Sequence, residues 1–121
     1  MSVRIFHIAR AREWEDACRA GSYTISTRDR TLEDVGFIHC SYAHQVAGTA
    51  NNFYVGEADL VLLVIDPARL SAPLRPEPPS PGMDAFPHIY GPLDLDAVVE
   101  VLPYAPGEDG RFPPPPAPWS A

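Results

Sequence analysis

The run "LVLLVID", Leu60 to Asp66, constrains this chain more than any other stretch. Consecutive aliphatic residues leave neither face of a strand suited to water, so the segment must be covered on both sides and lie centrally in its sheet. Pro67 then removes an N–H from the ladder and restricts Asp66 before it, which ends the strand. At 121 residues the chain is long enough for a single domain with one sizeable core around that strand.

The neighbouring segments supply its partners. "VRIFHIA" alternates with period 2, placing Val3, Ile5 and His7 on one face and Arg4, Phe6 and Ile8 on the other. "REWEDACRAG" then carries Trp14, Ala17 and Cys18 at helical spacing and stops at Gly21, a C-cap signal. "SYTIS" predicts a short strand and "TRDRTLED" a polar loop. "GFIHCS" predicts a strand running into Ser41, which can cap a helix whose Ala43, Val46, Ala47, Ala50, Phe53 and Tyr54 form one apolar stripe. From Pro73 to Gly82 five of ten residues are proline, which predicts an extended surface segment with little ladder pairing, able to fold over a cleft. "FPHIYGP" and "LDAVVEVLPY" complete the strands, the latter with Val99 and Val101 on one face. The Pro-rich "APGEDGRFPPPPAPWSA" cannot bury a core of its own. The expected organisation is one α+β domain over residues 1–104, with a mixed, mainly antiparallel sheet and two helices, and a mobile Pro-rich tail over 105–121.

Charge removes several function classes. Nine basic against sixteen acidic residues give a net charge of −7, which disfavours duplex nucleic acid and anionic membranes as partners. All the basic residues are arginine, so Schiff-base lysine chemistry and P-loop phosphate binding are excluded. No run approaches the roughly 20 apolar residues of a membrane span and "MSVRIFHIAR" has no secretory h-region, so a cytoplasmic location is expected. Cys18 and Cys40 make neither a disulfide framework nor a CxxC motif and are expected to be reduced and packed.

The chemistry centres on histidine. Alternation within "GFIHCS" puts Phe37, His39 and Ser41 on one face and Ile38 and Cys40 on the other, which argues against a cysteine–histidine nucleophile pair. His7, His39 and His88 each fall in a predicted strand, while His44 lies in the first turn of a helix and reads as surface. Singly, each strand histidine reads as an imidazole hydrogen-bonded at a core edge; their recurrence argues for a shared cleft with His7, His39 and His88 as its catalytic candidates. Phe37 accompanies His39, and Tyr90 accompanies His88, so aromatic walls suited to a planar, nucleotide-like ligand would line such a cleft. Phe37, Ser41 and Tyr90 are the ligand-binding candidates, with Arg75 the arginine best placed for a phosphate. Three imidazoles also raise zinc as an alternative, but no HxH or HxxxH spacing supports it. Asp94 and Asp96 read as a polar strand start and "REWED" as a solvated helix face.

Through "FHI", "GFIHCS", "LVLLVID" and "FPHIYGPL", in that order over about residues 3 to 102, the chain resembles the bacterial family called domain of unknown function 952. The resemblance implies an ADP-ribosyltransferase-like fold: a curved, split sheet with a cleft of the kind that takes NAD or an ADP-ribose-like ligand. In the His-Tyr-Glu type of such transferases a first-strand histidine grips ribose, a tyrosine stacks on nicotinamide and a glutamate polarises the ribose under attack. His7 falls where that histidine lies; His39 falls near the tyrosine and His88 near the glutamate, both as departures. A neutral imidazole supplies less stabilisation than a carboxylate to a ribose developing positive charge, and losing one such group typically costs about 2.7 to 4 kcal/mol of barrier. That argues against efficient protein ADP-ribosylation. The resemblance therefore implies group transfer or hydrolysis on an NAD-like or ADP-ribosyl substrate, with a non-catalytic nucleotide-binding or regulatory module as the rival reading.

Overall fold

A computed structural model describes residues 3–119. Strand β1 (Ile5–Arg10) leads into α1 (Ala11–Ala20), then the short β2 (Ile25–Thr27) and β3 (Arg30–Thr31), a helical turn α2 (Leu32–Val35) and β4 (Ile38–His39). Helix α3 (Val46–Phe53) precedes β5 (Leu60–Ile65), β6 (Leu74–Glu77), β7 (Phe86–Ile89) and β8 (Val98–Tyr104).

The aliphatic run is β5, the middle strand of a sheet ordered β1-β5-β8. It is covered on both faces, as its composition demands. Ile5, Ala9, Leu63 and Ile65 pack with Tyr23, Ile38, Cys40 and Ile89 on one side; Phe6, Ile8, Leu62 and Val64 pack with Val46, Ala50, Tyr54 and Phe112 on the other. Each such fully buried large side chain contributes roughly 1.5–3 kcal/mol, so β5 anchors both halves of the core. A second sheet is ordered β4-β7-β6. The two sheets meet where Phe6 and Ser41 exchange backbone hydrogen bonds of 2.8 Å each, so the β layer is split between β1 and β4.

Several expectations are corrected. Every strand pairing among the described residues is antiparallel, so the sheet is not mixed. The "TRDRTLED" stretch is the β2–β3 hairpin followed by α2. Arg28 turns the chain at φ 42°, and Thr31 and Asp34 exchange side-chain-to-backbone bonds that close a capping box. The proline-rich stretch contains β6, paired with β7 at four positions from Leu74↔Ile89 to Glu77↔Phe86. It lies at the sheet edge, where Pro76 need not supply an outward N–H, so its proline is tolerated.

The tail, finally, is anchored. Phe112 is 4% exposed within the second core cluster, and its backbone is bracketed by Asn51, whose Oδ1 accepts from Phe112 N at 2.8 Å and whose Nδ2 donates to Phe112 O at 3.1 Å. Trp119 donates to Glu100 and lies beneath the Arg4 guanidinium. Residues 120–121, part of the same expected tail, lie outside the described residues. Cys40 is buried, as expected, whereas Cys18 sits on the open side of α1 and is exposed. No described helix is long and apolar enough to cross a membrane.

Candidate functional site

Register brings two of the three strand histidines together. His39 and His88 are direct partners across β4 and β7, and cross-strand partners share a face, so both rings project the same way with centroids 5.5 Å apart. Ile38, Cys40 and Ile89 go to the opposite face and into the core. The imidazoles form part of the floor of a groove of about 1280 Å³, beside Phe37 and Phe86. Helix α3 supplies one wall through Gly48, Thr49 and Asn52, with Gln45 at its N-cap on the same side; the hairpin tip around Arg28–Arg30 and the segment Pro79–Asp84 supply the rim.

The two histidines differ in their surroundings. Phe37 stacks on His88 at 3.9 Å with the rings 16° from parallel. His88 Nδ1 lies 2.9 Å from Glu77 Oε1, and the Tyr90 hydroxyl donates to that same oxygen. The Tyr90 bond first, and His88 second, hold the Glu77 carboxyl below its ordinary value, while the same bond raises the Tyr90 hydroxyl. His39 has no such carboxylate. Burial first, and His88 beside it second, push its pKa down to about 4, so it is neutral near pH 7.

His7 does not reach the groove, which corrects the expectation of a three-histidine cleft. It lies beneath the floor, 2% exposed: its Nδ1 donates to the His39 carbonyl at 2.7 Å and its Nε2 accepts from the Tyr23 hydroxyl at 2.9 Å. The carbonyl can only accept, which assigns the proton to Nδ1. Desolvation lowers the His7 pKa to about 4. With both its nitrogens engaged, the three-imidazole metal arrangement does not assemble, and no other group of three His, Cys, Asp or Glu stands ready for an ion among the described residues.

The other candidates divide. Phe37 is on the floor. Ser41 is buried, sharing a 3.1 Å hydrogen bond with Thr49, because the chain leaves β4 after His39 and its backbone turns to β1. Tyr90 lies behind Glu77, and the Arg75 guanidinium sits 5.2 Å over the Tyr90 ring; neither lines the groove. His44 is exposed, as expected. Sequence reasoning missed Glu77 and Arg30. Glu77 follows Arg75 at the i, i+2 spacing of a strand face, a signal hidden by the surrounding prolines. Of the two groove arginines, Arg28 is bound to Glu57 at 3.0 Å and to the Phe53 carbonyl at 3.1 Å, while Arg30 makes no ion pair among the described residues.

Residues 8–101 match the family model described as Protein of unknown function (DUF952). The chain belongs to that family. The matched span of this DUF952 protein holds β4, β7 and the groove walls, and begins one residue after His7. Among solved structures it is similar to the crystal structure of protein CC0527 from Caulobacter crescentus, with 33% identity and a TM-score of 0.78, covering 91% of this chain and 93% of that one. A double mutant of CC0527 matches at 32% identity with the same TM-score, and its solution NMR structure at 31% identity and 0.73, covering 90% of each chain. No curated protein matches.

Proposed function

We propose that the groove of this DUF952 protein binds a nucleotide-like small molecule and carries out group transfer or hydrolysis on an NAD-like or ADP-ribosyl substrate, on an ADP-ribosyltransferase-like split sheet. The observation that carries the reading is the His39–His88 pair: two imidazoles side by side on the aromatic floor of an open groove, ring nitrogens of the kind that relay protons and hydrogen-bond a bound substrate. Phe37 and Phe86 supply apolar ring surface for a base. Arg30, in place of Arg75, is the group for a phosphate, since its fork has no internal partner among the described residues.

A thermal-shift screen with NAD, ADP-ribose, 2′-phosphorylated nucleotides and unphosphorylated adenosine tests it. A ligand that binds only the native state stabilises by about 2.7 kcal/mol at a hundredfold excess over its Kd, well within detection. A rise in Tm with NAD or ADP-ribose, lost in His39→Ala, with release of nicotinamide or of a hydrolysed product, is expected. Stabilisation without turnover would assign the groove to ligand sensing, and no stabilisation by any of these compounds overturns the nucleotide reading.

A further inference from the structure

We infer that Glu77, His88 and Tyr90 form a proton-handling unit in which Nε2 of His88 is the general base of the groove and Glu77 is the positioning residue that makes it so. The inference rests on the catalytic form of the reading above and names the group that acts.

The tautomer follows from the partners. A carboxylate at neutral pH only accepts, so the 2.9 Å contact between His88 Nδ1 and Glu77 Oε1 requires the proton on Nδ1. In the neutral ring the lone pair is then on Nε2. That atom has no protein partner among the described residues, and it is not sealed from solvent either, since the Ser26 hydroxyl is the one buried side-chain polar atom left unpartnered there. His88 lines the groove and Glu77 does not, so the ring stands between the carboxylate behind and the open space in front. Phe37 stacked at 3.9 Å holds the ring plane. Tyr90 donates to the same Glu77 oxygen, a second contact that holds the carboxylate, and the Arg75 guanidinium lies over the Tyr90 ring.

The chemistry follows from that order. Nε2 takes the proton of a ligand hydroxyl or a water: the O–H bond breaks, an N–H bond forms, and the electron pair stays on oxygen, which becomes the nucleophile. That oxygen bonds to the ribosyl carbon or phosphorus of the substrate as the bond to its leaving group breaks; the imidazolium, charge-paired with Glu77, then gives its proton to a departing oxygen, or to solvent where a neutral base departs. His39, the other imidazole, has no carboxylate behind it and stays neutral, so it serves as a hydrogen-bonding partner rather than the base. The charged and titratable groups around His88 are His39 from β4, Arg75 and Glu77 from β6, Tyr90 just beyond the end of β7, and Asp84 on the rim. The substrate class is accordingly one that brings a hydroxyl, of ribose or of water, to Nε2.

The test needs no ligand. Long-range ¹⁵N–¹H spectra of the full chain at about pH 8 report the tautomer of each imidazole. Nδ1–H is expected to predominate at His88 in the native protein and in Glu77→Gln, which keeps an acceptor, while Glu77→Ala reverts to the Nε2–H form that free imidazole prefers. Nε2–H at His88 in the native protein, or a folded Glu77→Ala with its tautomer unchanged, overturns the inference; if Glu77→Ala does not fold, the native spectrum alone decides. The spectra stand apart from the ligand screen, so a failed screen and a wrong tautomer are separately visible. In an active protein, Glu77→Gln should lower kcat at least tenfold with KM little changed, and equal kcat in the two would also sink the assignment.

Discussion

Burial holds His7 neutral down to about pH 4, while the same imidazole in an unfolded chain takes up a proton near 6.5. Between those values the unfolded state binds more protons than the native state, so stability falls as pH drops through that window and is level above it. A shift of this size corresponds to about 3 kcal/mol, at 1.36 kcal/mol per unit. Thermal melts from about pH 7.5 to 4.5 should show the loss. His7→Phe should flatten the slope without abolishing it, because His39 is depressed in the same direction, and should start lower, because the Tyr23 hydroxyl and His39 carbonyl each lose a partner worth about 1 kcal/mol. His39 is the contrasting residue. Its side chain makes no hydrogen bond among the described residues and keeps one edge open to the groove, so His39→Ala should move stability by about 1 kcal/mol or less while removing ligand-induced stabilisation, as paired melts with and without ADP-ribose will show.

Among the elements, the C-terminal segment behaves as part of the core. Phe112→Ala removes a buried ring from beside Tyr104 and should cost about 3 kcal/mol, and truncation before residue 107 should lower Tm by more than that single change, both read by denaturant melts. The strands that could be read from sequence are those whose two faces differ or are both apolar: β1, β5 and β7 announce themselves because burial imposes the period of the pleat. β6 could not be read, since proline argues against pairing unless the strand is already known to lie at an edge, and Glu77 was hidden with it. Phe112 is a lone aromatic among prolines; its burial depends on the Asn51 amide one helix away, a contact without local signature. That His39 and His88 share a cleft was legible from alternation and recurrence, though their direct pairing came with the register. The position of His7 was not, because alternation assigns a face to a strand but not the side of a split sheet on which that face ends up.

Over the whole molecule, a net charge of −7 repels small anions from most of the surface, so the one groove arginine without an internal ion pair among the described residues matters more than its exposure suggests. Arg30→Gln should weaken a phosphate-bearing ligand about tenfold and flatten the salt dependence of its affinity, while leaving unphosphorylated adenosine unaffected, as titration calorimetry at two ionic strengths will show. His39 lends its ring to the groove, but its carbonyl is clamped from below by His7, at the seam where the two sheets are stitched by Phe6 and Ser41. The floor is therefore stiff before anything arrives, and a guest spends little ordering entropy there. Whatever accommodation different guests require falls to the rim, so discrimination among ring systems belongs to the floor and tolerance of varied appendages belongs to the hairpin tip and the segment facing it.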